Sequence, residues 1–244
     1  MTAAWIALTS PARVLLLVWT LVMVGVPIYR WRWGERGQRA GIIAGVLLQV
    51  ATVIAILIPA WGVTRALAVA LAVVGMGWGV EFIGSHTGLP FGNYHYTERL
   101  QPQLGHVPLL IPLAWLMMLP PAWAVAERLT GGARGVGFVV LSGLAFTAWD
   151  LFLDPQMVAW GFWEWEQPGG YFGIPWVNFA GWFAASALMT ALIAPAPLPV
   201  APLLLIYAVT WFLETVGQAV FWRMPGSALV GSAAMGLFVV LTQL

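Results

Sequence analysis

ARVLLLVWTLVMVGVPIY (12–29), RWRWGERGQR (30–39) and AGIIAGVLLQVATVIAILI (40–58) follow one another near the start of the chain, and together they decide the fold. Each apolar run is close to the ~20 residues that a helix needs to cross a hydrocarbon core. The segment between them carries Arg30, Arg32, Glu35, Arg36 and Arg39, charges that a lipid-facing helix centre excludes. The stretch therefore reads as two membrane crossings joined by a charged connection. Working outward, the pattern repeats at 64–84, 107–126, 135–153, 176–194, 200–220 and 226–244. The expected fold is an all-α polytopic transmembrane helix bundle of about eight spans, with residues 1–244 forming a single integral membrane domain.

Composition agrees. Of 244 residues, 61% are hydrophobic and only 8% charged, against about 25% charged in an ordinary soluble domain. A net charge of +1 leaves no basic patch for phosphate backbones, so nucleic acid is excluded as a partner. Cysteine is absent, which removes disulfides, thiolate zinc sites, iron–sulfur clusters and Cys nucleophiles. All basic residues are Arg and none is Lys, so Schiff-base chemistry is also out. No Lys or Arg precedes Arg13, so no cleavable signal is expected and the first run reads as a retained span.

Pro59 to Thr64, residues 127–134 and the prolines Pro195, Pro197 and Pro199 supply the short breaks. Gly41–Gly45 and Gly75–Gly77–Gly79 read as small-residue surfaces for close helix approach. Two connections, Ser85–Gly105 and Asp154–Pro175, are about twenty residues each, a length that in a compact fold points to function. Both are rich in Gly, Pro and aromatics, and are expected to fold back onto the bundle. The odd-numbered connections hold Arg30, Arg32, Arg36, Arg39, Arg99 and Arg223, which places them in the cytoplasm of a cell (inner) membrane protein, with both termini outside.

On that topology Glu81, Asp150 and Glu214 lie late in spans running toward the odd-connection face, and every His falls on that face too. An ionisable group inside a span is a functional candidate by default. Asp150 and Asp154, four residues apart, share one helix face; two carboxyls in a low dielectric do not both ionise, so one is expected to hold a proton. A plainer alternative makes them helix-end acceptors, and makes Glu81 and Glu214 structural acceptors paired with Arg99 or Arg223. Of the histidines, His95 sits between Tyr94 and Tyr96 in the long connection, while His86 and His106 read as interfacial hydrogen-bonders; no metal site is expected. Sixteen Trp exceed what an interfacial belt requires. Phe91, Tyr94, Trp149, Trp160 and Trp182 are candidate cavity-lining residues able to steady a cation. Asn178 is placed to hold a water or a carboxyl.

The stretches FGNYHYTERLQPQLGHVPLLIPLAW (91–115) and WDLFLDPQMVAWGFWEWEQPGGYFGIPWVNFAGWF (149–183) resemble the membrane carotenoid-biosynthesis family that includes the CruF-type carotenoid 1′,2′-hydratases. The resemblance implies an enzyme adding water across the terminal double bond of an acyclic ψ-end. Its substrate would be a lipid-soluble carotenoid, membrane lipid its surroundings, and other carotenoid-pathway enzymes its candidate partners; no cofactor is implied. The resemblance assigns no catalytic residue. From chemistry and position, Asp150 or Asp154 is the expected acid, tuned by the other or by Glu81, while Asn178, His95 or Glu214 positions the water. A lycopene-type cyclase, an intramembrane prenyltransferase using Asp150 and Asp154 with Mg2+, and a carboxylate-relay transporter remain the alternatives.

Overall fold

The computed structural model describes residues 2–243. A short helix α1 (Thr2–Ala7) precedes α2 (Ser10–Trp61), which is one helix by hydrogen bonding but two by geometry. Gly34 breaks it with φ 61° and ψ −147°, a conformation open to a residue without a Cβ. The chain folds back there, so α2 is a hairpin of two arms. A Cβ on Gly41 would lie 3.0 Å from Tyr29 and Val26 side-chain atoms, and one on Gly45 would lie 2.5 Å from the Met23 sulfur. Those two glycines thus let the arms meet. The arginine-rich segment is helical up to Gly34 on both sides, so the expected ten-residue break shrinks to one residue.

The remaining crossings are α3 (Val63–Thr87), α4 (Leu110–Leu129), α5 (Val136–Ala159), α6 (Trp176–Ile193), α7 (Val200–Val216) and α8 (Pro225–Leu241). With the two arms of α2 they make the eight expected spans. A π-helical turn, Gly217–Phe221, extends α7. At the centre lies α4, buried without interruption from Ala114 through Ala126. The outer surface is aliphatic, with Leu21, Leu71, Leu229 and Val240 exposed, as a lipid-solvated bundle requires.

Two internal prolines show how the bundle tolerates lost backbone bonds. Proline lacks the N–H that would bond the carbonyl four residues back. For Pro121 that carbonyl is Met117, which accepts from Gln49 Nε2 at 3.4 Å. For Pro155 it is Leu151, which accepts from the Tyr171 hydroxyl at 2.9 Å. This second substitution lets α5 continue to Ala159, and corrects the expectation that the connection begins at Asp154: that residue lies inside the helix.

The two long connections do fold back onto the bundle. They contribute β1 (Tyr94–Tyr96), β2 (Gln103–Leu104), β3 (Val107–Pro108) and β4 (Trp163–Trp165). Strands β2 and β3 form a small hairpin, while β1 pairs antiparallel with β4, joining His95 to Glu164 across the two connections. The parity of the topology holds. Arg39 bonds the Arg99 carbonyl and Arg99 pairs with Glu35, so the first and third connections meet at one end; Trp160 packs on Trp222, bringing in the fifth and seventh. At the other end Trp61 bonds the Pro197 carbonyl, Arg134 bonds Glu127, and Arg128 bonds the Thr242 carbonyl. Glu127 is therefore the acid opposite the rest.

Candidate active site

Under the β1–β4 cap lies a cleft walled by both arms of α2 and by α3 to α7. The cap exists because both connections alternate with a period of two: Tyr94 and Tyr96 face inward with Trp163 and Trp165, while His95 and Glu164 face out.

Each inward residue serves an acid or a wall. Glu81 is 2% exposed and has no basic partner. Its Oε2 accepts from the hydroxyls of Tyr94 (2.5 Å) and Tyr96 (2.8 Å), and its Oε1 from the indole of Trp115 (3.0 Å). Three neutral donors solvate it in place of water; bonds to an ionised acceptor are worth about 1.5–3 kcal/mol each. Burial, and after it the neighbouring Glu81 carboxylate, push the Tyr94 and Tyr96 phenols well above their ordinary range, so both remain donors. Trp115 reaches Glu81 because it packs against Gly77, where a Cβ would sit 3.1 Å from its ring. Gly77 is thus a packing glycine as expected, whereas Gly75 and Gly79 face open space.

The second acid centre is the α5 pair. Asp150 and Asp154 are both buried, 0% and 2% exposed. The amide nitrogen of Asn178, one turn into α6, donates to Asp150 Oδ2 at 3.1 Å and also to Asp154 Oδ2. Trp163 of the cap donates to Asp154 Oδ1 at 3.1 Å. Asp150 Oδ1 has no donor. Both carboxyls reach the one Asn178 amide nitrogen, which holds them side by side on one face of α5. Only Asp154 reaches the cleft; Asp150 stands behind it.

Across the cleft, Glu214 meets a polar chain produced by the π turn. That turn brings Gln218 inward, where its amide donates to the Phe152 carbonyl (2.7 Å) and Gln156 (2.9 Å), with Glu214 at 3.5 Å, while Ser227 donates to its Oε1 at 2.7 Å. Single π turns recur at functional sites. Between the acids the wall is aromatic: Trp149 and Trp182 line it and meet edge-on at 6.1 Å, backed by Trp115 and Phe146, which stack on Trp182 at 4.8 Å and 5.3 Å.

The cleft therefore brings together Glu81, Asp154, Glu214 and Asn178 with Phe91, Tyr94, Trp149, Trp160 and Trp182. It does not include His95, which is exposed on the outer face of β1; a role for it in holding water is withdrawn, because strand alternation turns it away from its tyrosine neighbours. The suggested pairing of Glu81 with Arg99 also fails, since Arg99 is engaged by Glu35 at 3.4 Å. Tyr96, Trp115, Trp163, Gln156 and Gln218 were not foreseen. For Tyr96 and Trp163 the signal was present: YHY and WEW are period-two patterns in both long connections.

A family profile described as carotenoid biosynthesis protein matches residues 41–236, most of the chain, including Glu81, Asp150, Asp154, Asn178 and Glu214. The chain belongs to that family. A bisanhydrobacterioruberin hydratase from Haloarcula japonica is 36% identical over 118 residues, covering 47% of this chain and 40% of the relative. No solved structure matches. The carotenoid-biosynthesis protein is thus a multi-pass membrane protein whose site closes on carboxyls and aromatic rings.

Proposed function

We propose that this family member is a cofactor-independent carotenoid 1′,2′-hydratase, acting on an acyclic ψ-end. One arrangement supports this above all: two buried carboxyls joined through Asn178, with Asp154 opening onto an aromatic cleft that the lipid-dissolved polyene would fill; a single proton shared by the pair makes Asp154 the acid. The hydratase relative is consistent with it.

The chemistry follows from electron pairs. The C1=C2 π pair takes the proton of Asp154, forming a C2–H bond and leaving the positive charge on tertiary C1. Trp149 and Trp182 present ring faces or edges near that centre, and aromatic faces stabilise cations within about 6 Å. A water held by Glu214 and the Gln156–Gln218 chain attacks C1, and its surplus proton passes to Glu214. Glu214 then releases that proton to solvent, and solvent returns one to the aspartate pair. Nothing is oxidised or reduced, and one water is gained. Asp150 and Asn178 hold the proton on the pair, while Glu81, fixed by Tyr94, Tyr96 and Trp115, contributes negative potential opposite the developing cation.

The polar chain around Glu214 favours hydration over cyclisation, which needs no water site because an internal alkene captures the cation. The prenyltransferase alternative needs basic residues around a diphosphate, and no Arg lines the cleft among the described residues. We further propose that residues 1–244 act as one membrane domain in the inner membrane, with the capped end cytoplasmic, following the arginine bias. Expression in a host that accumulates lycopene or a monocyclic carotenoid, followed by mass analysis of the pigments, tests the activity. A product heavier by one water supports hydration; an isomer of unchanged mass points to the cyclase.

A further inference from the structure

A second, polar cleft of about 640 Å³ lies at the same end of the bundle, outside the reaction cleft, with Trp160 as a wall common to both. Arg30, Gln38 and Arg39 of the α2 hairpin line it together with Glu35 and Arg99. The internal bonds account for only part of the charge. Arg99 bonds Glu35 at 3.4 Å and the Trp160 carbonyl at 3.0 Å. Arg39 bonds only the Arg99 carbonyl, at 3.2 Å, and Arg30 only the side-chain oxygen of Gln38. With Glu35 set against Arg99, two guanidiniums have no counter-ion among the described residues.

Gln38 supplies a second, independent indication. It is 3% exposed, and its amide nitrogen has no acceptor. A buried donor left without a partner costs about 1–3 kcal/mol, yet the Arg30 bond fixes the amide with its nitrogen as the open group. Two unneutralised arginines and an open N–H2 together describe a receptor for an anion rich in acceptor oxygens, and arginine recognises phosphate by paired N–H donors.

We propose that this cleft binds a phosphate group, that of an anionic glycerophospholipid headgroup. Depth selects the lipid over a free ion. Trp31 and Trp33 are 84% and 59% exposed beside the hairpin tip, as interfacial anchors are, while Val24 and Ile28 just below are exposed aliphatics at acyl-chain level. A phosphate seated between Arg30 and Arg39 would tie the hairpin to the Arg99 segment and, through Trp160, to the wall of the reaction cleft. The site is independent of which reaction that cleft performs.

The test is thermal unfolding of the full chain in uncharged detergent, titrated with phosphatidylglycerol, with diacylglycerol of the same acyl chains, or with inorganic phosphate. Phosphatidylglycerol raises Tm saturably, whereas diacylglycerol does not and inorganic phosphate acts only at much higher concentration. Gln38→Glu, which replaces the open donor by a negative acceptor, and Arg39→Gln each weaken the lipid's half-saturation roughly tenfold. Arg39 is half-buried, so its variant keeps the test intact should Gln38→Glu not fold. Equal shifts from diacylglycerol, or an unchanged response in a folded variant, overturn the site. Equal potency of inorganic phosphate overturns the lipid as its occupant.

Discussion

Asp150 and Asp154 share an asparagine and a helix face and, in the proposed mechanism, a proton, yet replacing them is expected to have unequal consequences. Asp154→Asn removes the only carboxyl of the pair that opens on the cleft. General acid catalysis contributes roughly 10²–10⁴ in rate, or about 2.7–5.4 kcal/mol at 1.36 kcal/mol per decade. Protonating carbon lies at the demanding end, so the expected loss is about three to four decades. Asp150→Asn leaves Asp154 and its Trp163 and Asn178 donors in place. What it removes is the negative neighbour and the hydrogen bond that keep the proton on the pair. One hydrogen bond to a charged group is worth about 1.5–3 kcal/mol, so the expected loss is between one and two decades. Both substitutions are nearly isosteric, and each reduces the charge buried at the pair, so neither lowers thermal stability. The assay is pigment mass analysis in a carotenoid-producing host, with expression matched by immunoblot. If Asp154→Asn keeps near-parental hydration, or Asp150→Asn is the more damaging of the two, the assignment of the acid is wrong.

Three further outcomes follow from the same geometry. Tyr94→Phe and Tyr96→Phe each remove one of the three Glu81 donors and are expected to lower stability by about 1.5–3 kcal/mol, measured as Tm in detergent, while Thr97, which bonds backbone carbonyls of the next connection, can be replaced by Ser at little cost. Alkaline unfolding should be set by phenols, since the chain has neither Lys nor Cys. Tyr94 and Tyr96 titrate well above the ordinary ~10 in the folded protein. Above that pH the unfolded chain therefore loses protons that the fold retains, and stability, full below pH ~10, falls by up to about 1.36 kcal/mol per pH unit per phenol. The Tyr94→Phe/Tyr96→Phe double variant should show a shallower fall of Tm between neutral and high pH, and an identical slope would refute the assignment. Finally, Gly77→Val drives a side chain into Trp115 and is expected to cost about 1–3 kcal/mol and reduce turnover, whereas Gly75→Val meets nothing within 4 Å and should be neutral in the same melts.

Much of this was legible from residue order because lipid is an exacting solvent. Apolar length fixed the spans, and parity put Glu81, Asp150, Asp154 and Glu214 at one end, since hydrocarbon imposes helices and helices impose alternation of direction. The aromatic-rich connections at 85–105 and 154–175 declared themselves by length and composition. What the order of residues left open was the partner of each acid. That depends on contacts between segments far apart in the chain: β1 with β4, Trp115 against Gly77, and Tyr171 capping the carbonyl freed by Pro155 so that Asp154 stays helical. The same tertiary pairing removed His95 from the site and brought in Tyr96, two positions that differ only in which face of a three-residue strand they occupy. The sequence by itself determined a bundle with nearly all its acids at one end. Tertiary structure alone decided which carboxyl meets the substrate space, because the direction of a buried side chain is set by what packs behind it.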